Sequence, residues 1–184
     1  MHKDENKKPS YNEDDWSDLS AMTGAYEKSK LMAEKAAWDF WNSLPVEERF
    51  ELVMILPALV LGPPIIKGEF SSGNYLKMML LGELPALPKV KLPVVDVRDV
   101  AFAHLQGIKV PEAKNQRFHI CQGTYWYKEL SQILSAKFGE SYHFKTEEMT
   151  ECPPNNSLFP LLWERDYVCD NARSIRGLGV KYHD

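Results

Sequence analysis

The sequence predicts an α/β fold built on parallel strands, and three observations carry that reading. Short apolar runs without polar alternation, as at 50–56, read as strands buried on both faces. Longer stretches repeat apolar residues at three- and four-residue spacing, the period of a helix packed on one side. The two patterns take turns along the chain, as they do where helices join parallel strands. No internal repeat or low-complexity linker interrupts them, and 184 residues are enough to bury a sizeable core.

Residues 1–20 are polar and acid-rich and read as a terminus that frays or orders only on docking. A helix is predicted over 24–43, with Ala33, Ala36, Ala37, Phe40 and Trp41 as its apolar stripe. Lys30 with Glu34 and Lys35 with Asp39 are four-residue charge pairs on its wet side, and Leu44-Pro45 ends it. A buried strand follows at 50–56, stopped by Pro57 because proline cannot serve a central ladder. Leu61-Gly62-Pro63-Pro64 is a tight turn. A short helix is expected at 71–82 with Tyr75, Met78 and Met79 as apolar contacts, then a strand at 91–95. Asp96 is placed to cap a helix over 97–109. A strand at 117–121, a helix over 127–138 ended by Gly139, and a helical turn near 171–177 complete the chain.

Composition excludes several classes. Hydrophobic residues make up 44% and charged residues 26%, ordinary for a globular protein. Net charge is −4 without a basic stripe, which argues against nucleic acid as a partner. The longest apolar run, 52–61, contains Pro57 and is too short to span a membrane. The hydrophilic start has no apolar core of a targeting leader. Cys121, Cys152 and Cys169 are widely spaced with no CxxC, so reduced thiols and a cytoplasmic setting are expected. His2, His104, His119, His143 and His183 are scattered and do not suggest a metal site.

The run Tyr26-Glu27-Lys28-Ser29-Lys30 carries the chemistry. A four-residue spacing puts Tyr26 and Lys30 on one helix face, about 5–6 Å apart at Cβ. A phenol titrates near about 10, and a neighbouring ammonium favours the phenolate. Such a pair can give or take the proton that carbonyl reduction or alcohol oxidation requires. Yet no G-x-x-G-x-x-G stretch occurs in the 184 residues.

With Ser29 to Trp38 following that tyrosine, the chain resembles the extended short-chain dehydrogenase/reductase superfamily, specifically its dihydroflavonol-reductase and cinnamoyl-CoA-reductase-like group. Leu56 to Pro63, Val95 to His104, Arg117 to Ile120 and Gly177 to Val180 follow in that family's order. The resemblance implies the C-terminal half of an NAD(P)-binding Rossmann-like fold with its small substrate-binding lobe. The Rossmann-like part would take residues 1–62 and 92–121, and the lobe 63–91 and 122–184. The family's first five strands, glycine-rich turn, ribose-binding residue and catalytic Ser or Thr have no counterpart in the sequence.

The resemblance further implies hydride transfer between a nicotinamide and a carbonyl or secondary alcohol, with NADP as cofactor and NAD as the alternative. Tyr26 would be the general acid. Lys30 would lower its pKa and hydrogen-bond the nicotinamide ribose. The backbone at Pro57 and Leu59 would contact the carboxamide, and Ser72 would reach the cofactor. Asp96, Arg98 and Asp99 are read as structural, His104 as a hydrogen-bonded packing residue, and Met78 to Leu81 as core at a pocket edge. The expected partner is a small carbonyl or alcohol substrate, with self-association left open. A sugar-nucleotide epimerase or dehydratase, a hydroxysteroid dehydrogenase, and a non-catalytic binding remnant also remain open. Alone, the chain is expected to be inactive, with strand 50–56 leaving an apolar edge.

Overall fold

The computed structural model describes residues 8–22, 24–66, 68, 71–154 and 158–183. The first seven residues of the polar start lie outside these, as do positions 23, 67, 69, 70, 155–157 and 184 of the two expected segments.

Helix α1 (Ala25–Ser43) begins after Gly24 and ends at Leu44, ahead of Pro45, as predicted. Its packed side departs from the prediction. Ala33, Ala36 and Phe40 are exposed, and Leu31 is the buried residue, flanked by half-buried Glu34, Ala37, Trp38 and Trp41. Alanines lie on several sides of this helix, so period alone does not select a face, and the indoles do. Trp38 and Trp41 meet edge to face with centroids 6.0 Å apart, and Trp41 Nε1 donates to the Phe50 carbonyl at 2.7 Å. Glu34 therefore turns inward instead of pairing with Lys30 on the wet side.

The strand expected at 50–56 is β2 (Val53–Pro57), followed after Ala58 by β3 (Leu59–Leu61). Pro57 is the last residue of β2 and does not stop it early. Among the described residues β2 pairs on one side only, so a missing N–H on its far side breaks no ladder. Its partner is β5 (Gln116–Ile120), parallel, with Val53 opposite Gln116 and Pro57 opposite Ile120. Strand β4 (Lys91–Asp96) lies between β3, parallel, and β6 (Gly123–Trp126), antiparallel. Two-residue strands β1 (Ser10–Tyr11) and β7 (Val168–Cys169) pair in parallel. Thus part of the polar start is a strand, anchored to the far end of the chain.

Helix α2 (Ser71–Leu80) buries Met79, while Met78 and Leu81 stay 37% and 52% exposed. Asp96 caps α3 (Val97–Lys109), accepting from the Arg98 amide at 2.8 Å. Helix α4 (Tyr127–Phe138) ends at Gly139 as predicted, α5 (Phe159–Leu162) is one turn, and α6 (Ala172–Leu178) covers the expected final turn. Gly177 lets α6 approach β5, since a Cβ there would lie 2.9 Å from Phe118 Cε1.

Two buried clusters result. One joins Val95, Ala103, Phe118, Ile120, Leu178 and Val180 around β2, β5, α3 and α6. The other joins Met79, Leu87, Leu92, Tyr127, Phe159 and Leu162 around α2, α4 and α5. Strands pairing mostly in parallel and helices between them make this the mixed α/β class that was predicted.

Candidate active site

Helix α1 places Tyr26 and Lys30 on one face, with Lys30 Nζ 5.4 Å from the Tyr26 ring centroid. Both side chains border a groove of about 680 Å³ whose opposite wall is β2, from Met54 to Pro57. The tyrosine is 69% exposed. The pair therefore faces a groove that runs along β2 from Met54 to its last residue, Pro57.

The groove floor is a polar network that sequence reasoning did not single out. Arg117, on β5, donates from Nε to Glu34 Oε1 at 2.6 Å and from Nη2 to Glu34 Oε2 at 3.1 Å. Its guanidinium stacks on Trp16, 3.8 Å from the ring centroid, and Nη1 donates to the Glu13 carbonyl. His119, two residues along the same strand and so on the same face, lines the groove as well. Burial holds its imidazole below the usual histidine value, so the ring is neutral near pH 7. Glu13 is buried, accepts from the His119 amide at 2.8 Å and faces Arg173 Nε at 3.5 Å. The alternation Arg117-x-His119 was the available signal, but the sequence alone named no partner for this strand across the groove.

The structure brings Tyr26, Lys30 and Pro57 to one groove. It places Ser72 elsewhere, in a separate pocket of about 280 Å³ with Gly62, Pro63, Ile65 and Val97. Leu59 packs its side chain against the cluster around Met79 and Leu87, leaving only its backbone for a ligand. Asp96 and Arg98 form a bidentate pair at 2.9 and 2.8 Å, and the guanidinium holds the Asp96 carboxyl down at about 2. Asp99 is buried and accepts from the His183 amide at 2.9 Å, with His183 Nδ1 at 2.6 Å. These three are structural, as expected. His104 keeps its hydrogen bond, Nδ1 to the Val100 carbonyl at 2.8 Å, but it is exposed and does not pack inward. No group of three metal-ligating side chains occurs among the described residues. No helix among them is long and apolar enough to cross a membrane.

The donors present suit one end of a dinucleotide. An ammonium beside a phenol can bind a ribose diol and a polarised carbonyl oxygen. By contrast, no glycine-rich strand-to-helix turn that would cradle a pyrophosphate occurs in the sequence.

No protein-family model matches the chain. It is 32% identical over 184 residues to the ketoreductase azaE of Aspergillus niger, covering 95% of this chain and 51% of that protein. It is 31% identical over 187 residues to cinnamoyl-CoA reductase 1 of Arabidopsis thaliana, covering 99% and 50%. Among solved structures, Gre2 from Candida albicans superposes with a TM-score of 0.69 at 30% identity, over 95% of this chain and 54% of that one. The yeast methylglyoxal/isovaleraldehyde reductase Gre2 complexed with NADPH gives 0.74 at 26% identity, over 97% and 54%. The chain thus spans about half the length of the curated relatives it matches. These likenesses, met by a tyrosine and lysine on one helix face over a groove along β2, place the chain in the extended short-chain dehydrogenase/reductase superfamily, in its dihydroflavonol-reductase and cinnamoyl-CoA-reductase-like group.

Proposed function

We propose that these residues supply the acid–base part of an NADPH-dependent reductase of small carbonyl compounds. The observation that carries the reading is the shared position of Tyr26 and Lys30 over the groove along β2. Curated relatives support it by name, among them an NADPH-dependent methylglyoxal reductase of Saccharomyces cerevisiae. NADPH, when bound, supplies the hydride. Tyr26 gives its hydroxyl proton to the carbonyl oxygen as negative charge builds there. Lys30 stabilises the phenolate left behind and holds the ribose next to the nicotinamide. The exposed end of β2 at Pro57, with the Leu59 backbone, faces the carboxamide. Ser72 contributes from its own, separate pocket.

In this reading the core around β2, β5, α3 and α6 is the Rossmann-like part, and the core around α2, α4 and α5 is the substrate lobe. The protein works in the cytoplasm, in keeping with its three free cysteines.

The test complements this chain with the nucleotide-binding half of yeast Gre2 and follows NADPH oxidation with methylglyoxal. Tyr26→Phe is expected to lower turnover by about 10²–10⁴-fold, the usual contribution of a positioned proton donor. Lys30→Met is expected to lower turnover and weaken NADPH binding together. Near-normal turnover in Tyr26→Phe would assign the proton to another group. An unchanged Kd in Lys30→Met would remove the ribose role.

A further inference from the structure

Arg165 is a half-buried cation that meets no acid among the described residues. It lines a cavity of about 290 Å³ that has Asp15, Ser17 and His119 as walls in common with the Tyr26 groove. The guanidinium carbon lies 5.8 and 5.9 Å from the ring centroids of Tyr11 and Tyr167, which line the same cavity. Those rings meet edge to face, centroids 6.1 Å apart, and hold the arginine between them. Arg165 Nη1 donates to the Leu161 carbonyl at 3.1 Å, and Nη2 donates to the Tyr11 hydroxyl at 2.6 Å. Both acceptors are neutral, and a guanidinium has five N–H donors, so the fork keeps capacity for an anion. Nearby acids are committed elsewhere. Asp166 receives Lys91 at 2.8 Å, and Asp15 receives Lys8 at 2.5 Å. By contrast, Arg98, Arg117 and Arg173 each pair with a carboxylate.

We propose that this cavity is a substrate subsite in which Arg165 takes the carboxylate of a short oxo acid whose carbonyl lies in the Tyr26 groove. The reacting end rests on the reductase reading above, and the charged end rests on Arg165. A guanidinium drawn partly out of water without a counter-ion loses solvation. A carboxylate restores it, because two of its oxygens match the planar fork. Leu92, Pro93 and Leu162 give the cavity an apolar wall, which suits the methylene chain between the two functional groups. The volume is at the small end for ligand cavities and keeps that chain short. Among the described residues Arg165 supplies the positive charge of the wall and Asp15 a negative one. A single negative charge is therefore accommodated, and a phosphate, with its second charge, is repelled. Anchoring the acid at Arg165 limits how its carbonyl can lie against Tyr26, which is a gain in orientation and not in proton transfer.

The experiment titrates the full chain calorimetrically with 4-oxopentanoate and with its neutral methyl ester. The acid is expected to bind at least ~10-fold more tightly than the ester, the usual worth of a charge-assisted pair. Acid and ester are compared on the unaltered chain, so the answer does not depend on a variant that folds. Arg165→Met, checked for fold by circular dichroism, is expected to lose the preference, and Arg165→Lys to keep part of it. The same two ketones are then followed by NADPH oxidation in the chain complemented with the nucleotide-binding half of yeast Gre2. There the acid is expected to show the lower KM, and Arg165→Met to raise that KM with little change in kcat. Absence of acid binding at millimolar concentration, equal affinity for acid and ester, or a preference that survives in Arg165→Met would overturn the proposal. So would displacement of the acid by equimolar inorganic phosphate. Arg165-dependent binding of the acid without turnover of either ketone supports the subsite and counts against the reductase reading. Turnover of both ketones with equal KM does the reverse.

Discussion

Replacing Arg117 by Met tests the network that joins α1 to β5. Its side chain and that of Glu34 are only 13% and 12% exposed, so solvent screens the pair weakly. Arg117→Met removes both hydrogen bonds to Glu34, at 2.6 and 3.1 Å, and the contact with Trp16. Among the described residues, the Glu34 carboxylate then keeps Trp38 Nε1, at 3.4 Å. Breaking one partner of a buried ion pair costs about 3–5 kcal/mol, of which stacking on the indole contributes about 0.5–2 kcal/mol. Glu34→Leu leaves the guanidinium with the Glu13 carbonyl and Trp16 and is expected to cost less. The double variant strands neither charge, so its cost should fall below the sum of the singles by about 1.5–3 kcal/mol. Urea unfolding of the four proteins, followed by tryptophan fluorescence, measures the cycle. A domain's whole margin is about 5–15 kcal/mol, so the single variant should shift the midpoint visibly. A coupling below about 0.5 kcal/mol would show that the two charges act independently and would refute the reasoning.

Three further outcomes are expected. Gly177→Ala puts a Cβ 2.9 Å from Phe118 Cε1, a side chain buried on every side; overpacking of this kind costs about 1–3 kcal/mol, read as a lowered Tm. Asp96 has its folded pKa depressed from 3.8 to about 2 by Arg98. Its contribution is therefore present above pH 3.8 and lost as pH falls toward 2, so Asp96→Asn should flatten this part of the acid-unfolding curve, and an unaltered acid limb would contradict it. Calorimetric titration of this chain with NADPH should show affinity weaker than micromolar, since the residues present grip only the nicotinamide end; micromolar or tighter binding would require a phosphate site elsewhere on the chain.

Much of this fold was legible because its elements carry their own punctuation. Asp96 announces α3, Gly139 ends α4, and Leu44-Pro45 ends α1. The Tyr26–Lys30 pair was legible because a four-residue spacing fixes a shared helix face. What escaped depends on contacts distant in sequence. Strands β1 and β7 are two residues each and exist only because they pair across the molecule. Strand β6, Gly123–Trp126, is too short to show a period and is recruited by β4. The packed side of α1 was misread because alanines are indifferent to burial, whereas Glu34 is drawn inward by an arginine far along the chain. Pro57 was read as a stop because the rule assumes a strand paired on both sides. Arg117 and His119 were read as strand, correctly, but their shared face becomes a groove wall only when α1 closes over it.

Residues early in the chain are held by residues near its far end. Tyr11 receives Arg165 at 2.6 Å across 154 positions of sequence, Asp14 receives Arg173 at 2.8 Å across 159, and β1 lies in register with β7. Contacts of such span are slow to form, because the intervening chain must first be brought to order. During synthesis, Glu13 leaves the ribosome long before Arg173 exists, so its carboxylate waits in solvent while α1, α3 and α4 assemble. The strap formed by β1 and the residues after it is therefore a late event in folding, and by the same logic an early one in unfolding. Amide exchange at residues 10–14 should run ahead of exchange in β2 and β5, making this strap a reporter of whether the C-terminal region has docked.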